Sequence, residues 1–139
     1  MKEGVAGASK DHRALGDRFL APTPRVAEGL ALGGLANAAI DVSDGLVVDL
    51  GHLCEASGCG ATIDVEQLPL SAEILSLFSL PAAQAYGLSG GDDYELCFTA
   101  APSQAQTIEQ SLEPLGARVH SIGQLTEGQG AVSYTHLTL

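Results

Sequence analysis

The chain has 139 residues, of which 45% are hydrophobic, so it is long enough for one domain with a substantial core and too short for two ordinary domains. Its 6 lysine and arginine residues against 17 aspartate and glutamate residues give a formal net charge of -11, which argues against nucleic acid as a partner because a phosphate backbone would be repelled. No apolar run approaches the roughly 18 to 20 residues that a membrane-spanning helix needs, so no membrane partner is expected.

Helices and strands are predicted to alternate along the first half of the chain. Apolar spacing and glycine or proline breaks delimit each element. The predicted elements are a short helix at 10–20, a helix at 25–35 ended by Gly33 and Gly34, a strand at 38–40, a helix at 45–56 and a strand at 61–65.

The second half continues the alternation and completes the prediction of the fold. Its predicted elements are a helix at 72–78 capped by Ser71, a helix at 81–86, a strand at 94–99, a helix from Pro102 to Leu115 stopped by Gly116, a strand at 117–122, and a hairpin turn at Gly128-Gln129-Gly130 leading into an edge strand at 131–134. This order predicts an α/β fold, or α+β sandwich, with one mixed sheet covered by helices.

The cysteines and the N-terminal sequence indicate the compartment. Cys54, Cys59 and Cys97 lie within apolar runs, and no basic segment followed by a long apolar one opens the chain. These features predict a reduced, cytoplasmic protein with buried structural thiols. A zinc site formed by His52, Cys54, Cys59 and a distant histidine is an alternative, but it lacks the paired spacings typical of zinc sites.

A first acidic motif occupies residues 40–46. Asp41 and Asp44 bracket Ser43 and are followed at once by Gly45 and an apolar run, the pattern of a strand that ends at a helix N-terminus. The two carboxylates can project into one space, and the Ser43 hydroxyl can contact a phosphate or a metal-bound water. Such an oxygen-rich set suits phosphoryl transfer. The alternative is that Ser43 or Asp44 caps the helix and Asp41 is a solvated turn residue.

A second acidic motif, residues 89–96, contains two glycines. Gly90 and Gly91 would allow backbone N–H groups to face a ligand, while Asp92 accepts hydrogen bonds from an amine or hydroxyl. The alternative is an exposed loop, and Glu95 is interpreted as structural. If the fold brings the two motifs together, oxygen ligands and free backbone N–H groups surround one polar cleft, the environment that Mg²⁺-nucleotide chemistry requires.

Two further polar residues follow the first motif. Asp49 and His52 are one turn apart on the predicted helix and are expected to form a solvated or locally paired face. The other histidines, His12, His120 and His136, show no partner pattern and are assigned no role.

Taken together, the motifs resemble a known family over about residues 19–124. The matching segments are Pro24-Arg25, Glu28-Gly29, Ala39-Ile40-Asp41-Val42-Ser43-Asp44-Gly45-Leu46, Asp49-Leu50 and Leu88-Ser89-Gly90-Gly91-Asp92-Asp93-Tyr94-Glu95-Leu96. They resemble the C-terminal half of bacterial thiamine-monophosphate kinase. Aminoimidazole ribonucleotide synthetase, selenophosphate synthetase and the hydrogenase maturation dehydratase share the ATP-binding architecture, but this pair of motifs is not associated with them.

The resemblance implies an enzyme that transfers the γ-phosphoryl group of ATP to thiamine monophosphate, giving thiamine diphosphate and ADP, with several Mg²⁺ ions. It implies that Asp41 and Asp44 bind magnesium, that Ser43 contacts ATP and that Asp92 binds the thiamine substrate. Clustered cations are needed in such a reaction because donor and acceptor are both anionic. In-line transfer needs no protein nucleophile, and no catalytic side chain is assigned.

The resemblance also implies a domain organisation. Residues 1–20 would be a lead-in or interdomain connector, 21–134 the C-terminal kinase domain, and 135–139 a tail of doubtful origin. The family's N-terminal domain, which supplies further metal ligands and holds ATP across a homodimer interface, has no counterpart here, so the chain alone is expected to be inactive. Alternatives are another ATP-dependent synthetase of the same superfamily and a non-catalytic ligand-binding or dimerisation module.

Overall fold

The computed structural model describes residues 10–128 and 132–135. Helices in this part of the chain are α1 (Lys10–Leu20), α2 (Val26–Ala31), α3 (Leu46–Ser57), α4 (Ala72–Leu77), α5 (Leu80–Ser89) and α6 (Ala105–Leu112). Strands are β1 (Ala38–Asp41), β2 (Gly60–Asp64), β3 (Leu96–Thr99), β4 (Gly123–Thr126) and β5 (Val132–Thr135). None of the described helices is long and apolar enough to cross a membrane.

The described strands form two sheets. β1 pairs antiparallel with β3, and β2 lies between β4, which is antiparallel to it, and β5, which is parallel. The predicted α/β class is confirmed, but the expectation of one mixed sheet is wrong. β1 and β2, the strands that flank α3 in sequence, belong to different sheets. The helix α3 contacts both strands and so connects the two sheets.

The larger hydrophobic core lies on one face of α3. Leu46, Leu50 and Cys54 recur at a spacing of four residues, which aligns them along that face, and they pack against Ile63 of β2. A smaller core is built from Leu32, Ile108 and Leu112. The large core thus holds the N-terminus of α3, where the first acidic motif lies.

The strand predicted at 117–122 is wrong, because β4 begins only at Gly123. Ala117 and Val119 pack against the smaller core, whereas Arg118 and His120 are exposed. The alternation of apolar and polar residues therefore reflects one-sided burial of an extended segment beside α6, not pairing in a sheet.

The predicted edge strand at 131–134 corresponds to β5, but the hairpin with the preceding strand is wrong. β2 lies between β4 and β5, so these two strands do not pair. Residues 129–131 of the predicted turn and strand lie outside the described residues, as do 1–9 of the predicted lead-in and 136–139 of the predicted tail.

The free thiols give a test of the packing around α3. Cys54 is buried and Cys97 is half-buried. Burial raises the pKa of the Cys97 thiol to about 11, and the negative charges of Cys54 and Asp49 contribute to the rise. Because the thiolate is the nucleophile, we expect Cys97 of the native chain to resist iodoacetamide at pH 8. Mass spectrometry after timed labelling would measure this, with the urea-unfolded chain as the control. Equal labelling of Cys97 in both states would contradict the buried setting.

Candidate functional site

The two acidic motifs meet in the structure. The first turn (residues 41–45) connects β1 to α3, and the second turn (residues 89–95) connects α5 to β3. They extend the β1–β3 pairing through backbone hydrogen bonds. The N–H of Val42 donates to the Glu95 carbonyl at 2.8 Å, the N–H of Tyr94 to the Val42 carbonyl at 2.8 Å, and the N–H of Asp92 to the Ser43 carbonyl at 2.9 Å.

Close backbone approach explains the glycines in both turns. A Cβ atom at Gly91 would lie 2.7 Å from the Ser43 carbonyl oxygen, and one at Gly45, whose φ is 115°, would lie 3.0 Å from the Ser89 carbonyl oxygen.

Asp92 and Tyr94 adopt positive φ values of 63° and 52°, which cost non-glycine residues of order 1–3 kcal/mol each. Such strain concentrates at ligand-binding sites, which makes the second turn a candidate site.

Carboxylates from both turns face one region of the surface. Asp41, Asp44 and Asp92 are exposed. The Tyr94 hydroxyl donates to Asp92 Oδ1 at 3.1 Å. This hydrogen bond raises the pKa of Tyr94, and the charges of Asp41 and Asp44 raise it further, so all three carboxylates act on one phenol. Half-buried Ser43 lies between the acids of the first turn, with its Oγ 3.5 Å from Asp44 Oδ1.

Asp49 was not predicted as a site residue. It was expected on a solvated or locally paired face, and it is paired locally but buried rather than solvated. Its side chain is only 3% exposed, and Oδ2 accepts hydrogen bonds from the N–H groups of Ser43 and Asp44, each at 2.9 Å. These two amides are therefore not among the free backbone N–H groups expected around the cleft. Asp49 is three residues after Leu46 and four before Leu53, a spacing that could have placed it on the buried face.

The structure groups Asp49 with two exposed side chains. One potential ligand atom from each of Asp44, Asp49 and His52 lies within 4.8 Å of the others. Carboxylate oxygens suit a hard divalent cation. No such grouping within residues 10–128 and 132–135 includes a cysteine, so the zinc alternative gains no support there.

Glu95 anchors the second turn to the N-terminal part of the chain. Its carboxylate accepts from Arg25 Nε at 3.0 Å and Nη2 at 2.9 Å, and it also pairs with Arg18 of α1. The Glu95 hydrogen bonds raise the pKa of Arg25, and burial raises the pKa of Asp93 while Arg18 opposes that rise. These ion pairs support the predicted structural role of Glu95.

Comparison with known proteins places this arrangement in a family. Residues 2–135 match the model of the "AIR synthase related protein, C-terminal domain" family. The chain belongs to this family. This match confirms the superfamily that was inferred from the two acidic motifs, and it agrees with the α/β architecture.

Several proteins to which this chain is similar are named thiamine-monophosphate kinases. Thiamine-monophosphate kinase from Haemophilus influenzae is 43% identical over 130 residues, which cover 94% of this chain and 40% of the relative. The crystal structure of thiamine-monophosphate kinase from Stenotrophomonas maltophilia K279a matches with a TM-score of 0.87 at 43% identity, covering 94% of this chain and 42% of that one. AaThiL complexed with AMPPCP and TMP matches with a TM-score of 0.77 at 32% identity, covering 91% and 40%. The chain therefore spans about 40% of the length of the curated relative.

Proposed function

We propose that this chain forms one wall of the active site of a thiamine-monophosphate kinase, which transfers the γ-phosphoryl group of ATP to thiamine monophosphate. The observation that carries the proposal is the joining of the two turns by backbone hydrogen bonds, which directs Asp41, Asp44 and Asp92 to one exposed region. The kinase relatives support it, and one solved relative was obtained with AMPPCP and TMP.

The residues of the first turn fit magnesium. Asp41 and Asp44 are exposed carboxylates with the hard oxygen atoms that Mg²⁺ prefers, and we assign them as its ligands. Bound Mg²⁺ neutralises phosphate charge and orients the transferring group. The net charge of -11 would otherwise repel a nucleotide, so the carboxylates of the first turn would hold the phosphates of ATP through cations.

The remaining assignments concern the substrates. Ser43 has a hydroxyl that can donate to an ATP phosphate, and the Asp92 carboxylate can accept from the amino group of the thiamine pyrimidine. These side chains bind and orient reactants, and none acts as a nucleophile. Residues 21–134 would then be the C-terminal kinase domain and 1–20 a connector, within a cytoplasmic homodimer of the full-length protein.

A coupled assay tests the function. We expect the full-length parent to form thiamine diphosphate from ATP and thiamine monophosphate in the presence of Mg²⁺, and the isolated 139 residues to show no turnover, because the opposite wall of the site lies in the rest of the protein. Turnover by the isolated chain would contradict the half-site proposal. A parent that transfers phosphate only to another acceptor would contradict the assignment as a thiamine-monophosphate kinase.

Calorimetry on the isolated chain addresses the alternative of a non-catalytic module. Heat from titration with Mg²⁺-ATP or thiamine monophosphate, lost when Asp41 or Asp92 is replaced by asparagine, supports a retained half-site. Binding that survives both substitutions would place the ligand elsewhere on the chain.

A further inference from the structure

Among the residues that the structure describes, Asp49 is the one charged residue that is buried. It lies in the first turn of α3, where its own N–H bonds to the Gly45 carbonyl at 2.9 Å. Its carboxylate turns back past the start of the helix, and one oxygen, Oδ2, accepts from both Ser43 and Asp44. Hydrogen bonds to an ionised acceptor are about twice as strong as neutral ones.

This carboxylate takes the position that an external anion often occupies at a helix N-terminus. The N–H groups before a helix and the positive end of its dipole attract phosphates in many proteins. Here each of the two amides already donates to Asp49, at 2.9 Å. The internal anion therefore excludes a phosphate from these donors and fixes the backbone from which the Ser43 and Asp44 side chains project.

We infer that Asp49 is a positioning residue that fixes the first turn in the conformation required for cation binding by Asp44. This inference rests on the proposed function, because it takes Asp44 as a metal ligand. Because its Oδ2 is engaged by both amides, Asp49 acts through the Ser43 and Asp44 backbone rather than as the metal ligand that its grouping with Asp44 and His52 would allow. Groups that orient metal ligands in this way typically change metal affinity by about 10- to 100-fold when they are replaced.

Two variants separate the position of the carboxylate from its charge. Asp49→Glu keeps the charge but lengthens the side chain by one methylene, which moves the carboxylate off the two amides. Asp49→Asn keeps the shape and an oxygen acceptor but removes the charge, so it weakens both bonds with the least disturbance of packing. Glu55→Gln is the matched control, since Glu55 is an exposed carboxylate on the same helix.

Amide hydrogen exchange on the metal-free 139-residue chain provides the first measurement. By NMR, exchange at Ser43 and Asp44 should be at least about tenfold faster in both Asp49 variants and unchanged in Glu55→Gln, while amides in the large core stay protected. Unchanged exchange at both residues in both variants would overturn the inference, whatever the chain binds.

The second measurement is a titration with Mn²⁺, in which binding is detected as paramagnetic broadening of the amide signals of the first turn. We expect Asp49→Glu to weaken Mn²⁺ binding by about 10- to 100-fold although it keeps the negative charge. Faster exchange with unchanged Mn²⁺ affinity would reduce Asp49 to a structural role and overturn the inference. Absence of broadening in the wild-type chain would instead overturn the assignment of Asp44 in the proposed function. If Asp49→Glu fails to fold, the same comparison is made between Asp49→Asn and Glu55→Gln, and equal affinities overturn the inference.

Discussion

Replacing Asp41 or Asp44 by asparagine in the full-length parent is expected to lower kcat/KM by about 1,000-fold. The proposed role of both residues is to hold cations that neutralise phosphate charge, an effect worth several kcal/mol, and about 1.4 kcal/mol corresponds to a factor of ten in rate. Both side chains are exposed, so the free energy of unfolding should change by no more than about 0.5 kcal/mol. Thiamine diphosphate formation and urea denaturation measure the two effects.

Glu109→Gln is the control for this experiment. Glu109 is an exposed carboxylate on α6, the helix that packs in the smaller core, so its loss removes the same charge without touching either turn. Its activity should equal that of the wild type. Wild-type rates in both aspartate variants would refute the metal assignment, and unfolding of both would show that the first turn needs these carboxylates for stability.

Local patterns in the sequence predicted the elements around the site. Apolar spacing indicated α3, and its end at a glycine agrees with the left-handed conformation of Gly58, whose φ is 68°. Ser71 was predicted to cap α4, and its Oγ accepts from the N–H of Ile74 at 3.3 Å. The meeting of the two acidic motifs was predicted only conditionally. Their ligand chemistry suggested it, but the antiparallel β1–β3 register that produces it joins residues far apart in sequence.

Features that depend on tertiary packing could not be read from local patterns. The segment 117–122 has the alternation of a strand, yet the strand beside β2 is β4, which begins at Gly123, and the segment meets β2 at its end, where the Ile122 carbonyl accepts from the N–H of Asp64 at 2.8 Å. The spacing of Asp49 from Leu46 and Leu53 is compatible with burial, but aspartate is rarely buried without a partner, and its partners are backbone amides that no side-chain pattern reveals. The sequence therefore indicates the exposed carboxylates, but it does not reveal the buried Asp49 that holds the backbone of Ser43 and Asp44.

Replacing Gly91 by alanine is expected to lower the free energy of unfolding of the chain by about 1–3 kcal/mol, the usual cost of forcing an extra group into a packed contact. The added Cβ would lie 2.7 Å from the Ser43 carbonyl oxygen, so the two turns must separate. Gly91 is not among the glycines with positive φ, and the substitution therefore tests close approach without backbone strain. Urea denaturation of the wild-type and variant chains measures the effect.

Gly51→Ala is the matched control, because a Cβ there would have no neighbouring atom within 4 Å. Gly51 lies inside α3, where alanine is favoured over glycine by roughly 0.5–1 kcal/mol, so this variant should equal or exceed the wild type in stability. Equal stability of both variants would mean that the turns tolerate separation. If only Gly91→Ala is destabilised, the activity of the parent enzyme with the same substitution is measured next. Separating the turns moves Asp92 away from the carboxylates of the first turn, so we expect activity to fall. A loss of kcat/KM larger than the loss of folded protein would then connect the backbone contact between the turns to binding of the two substrates.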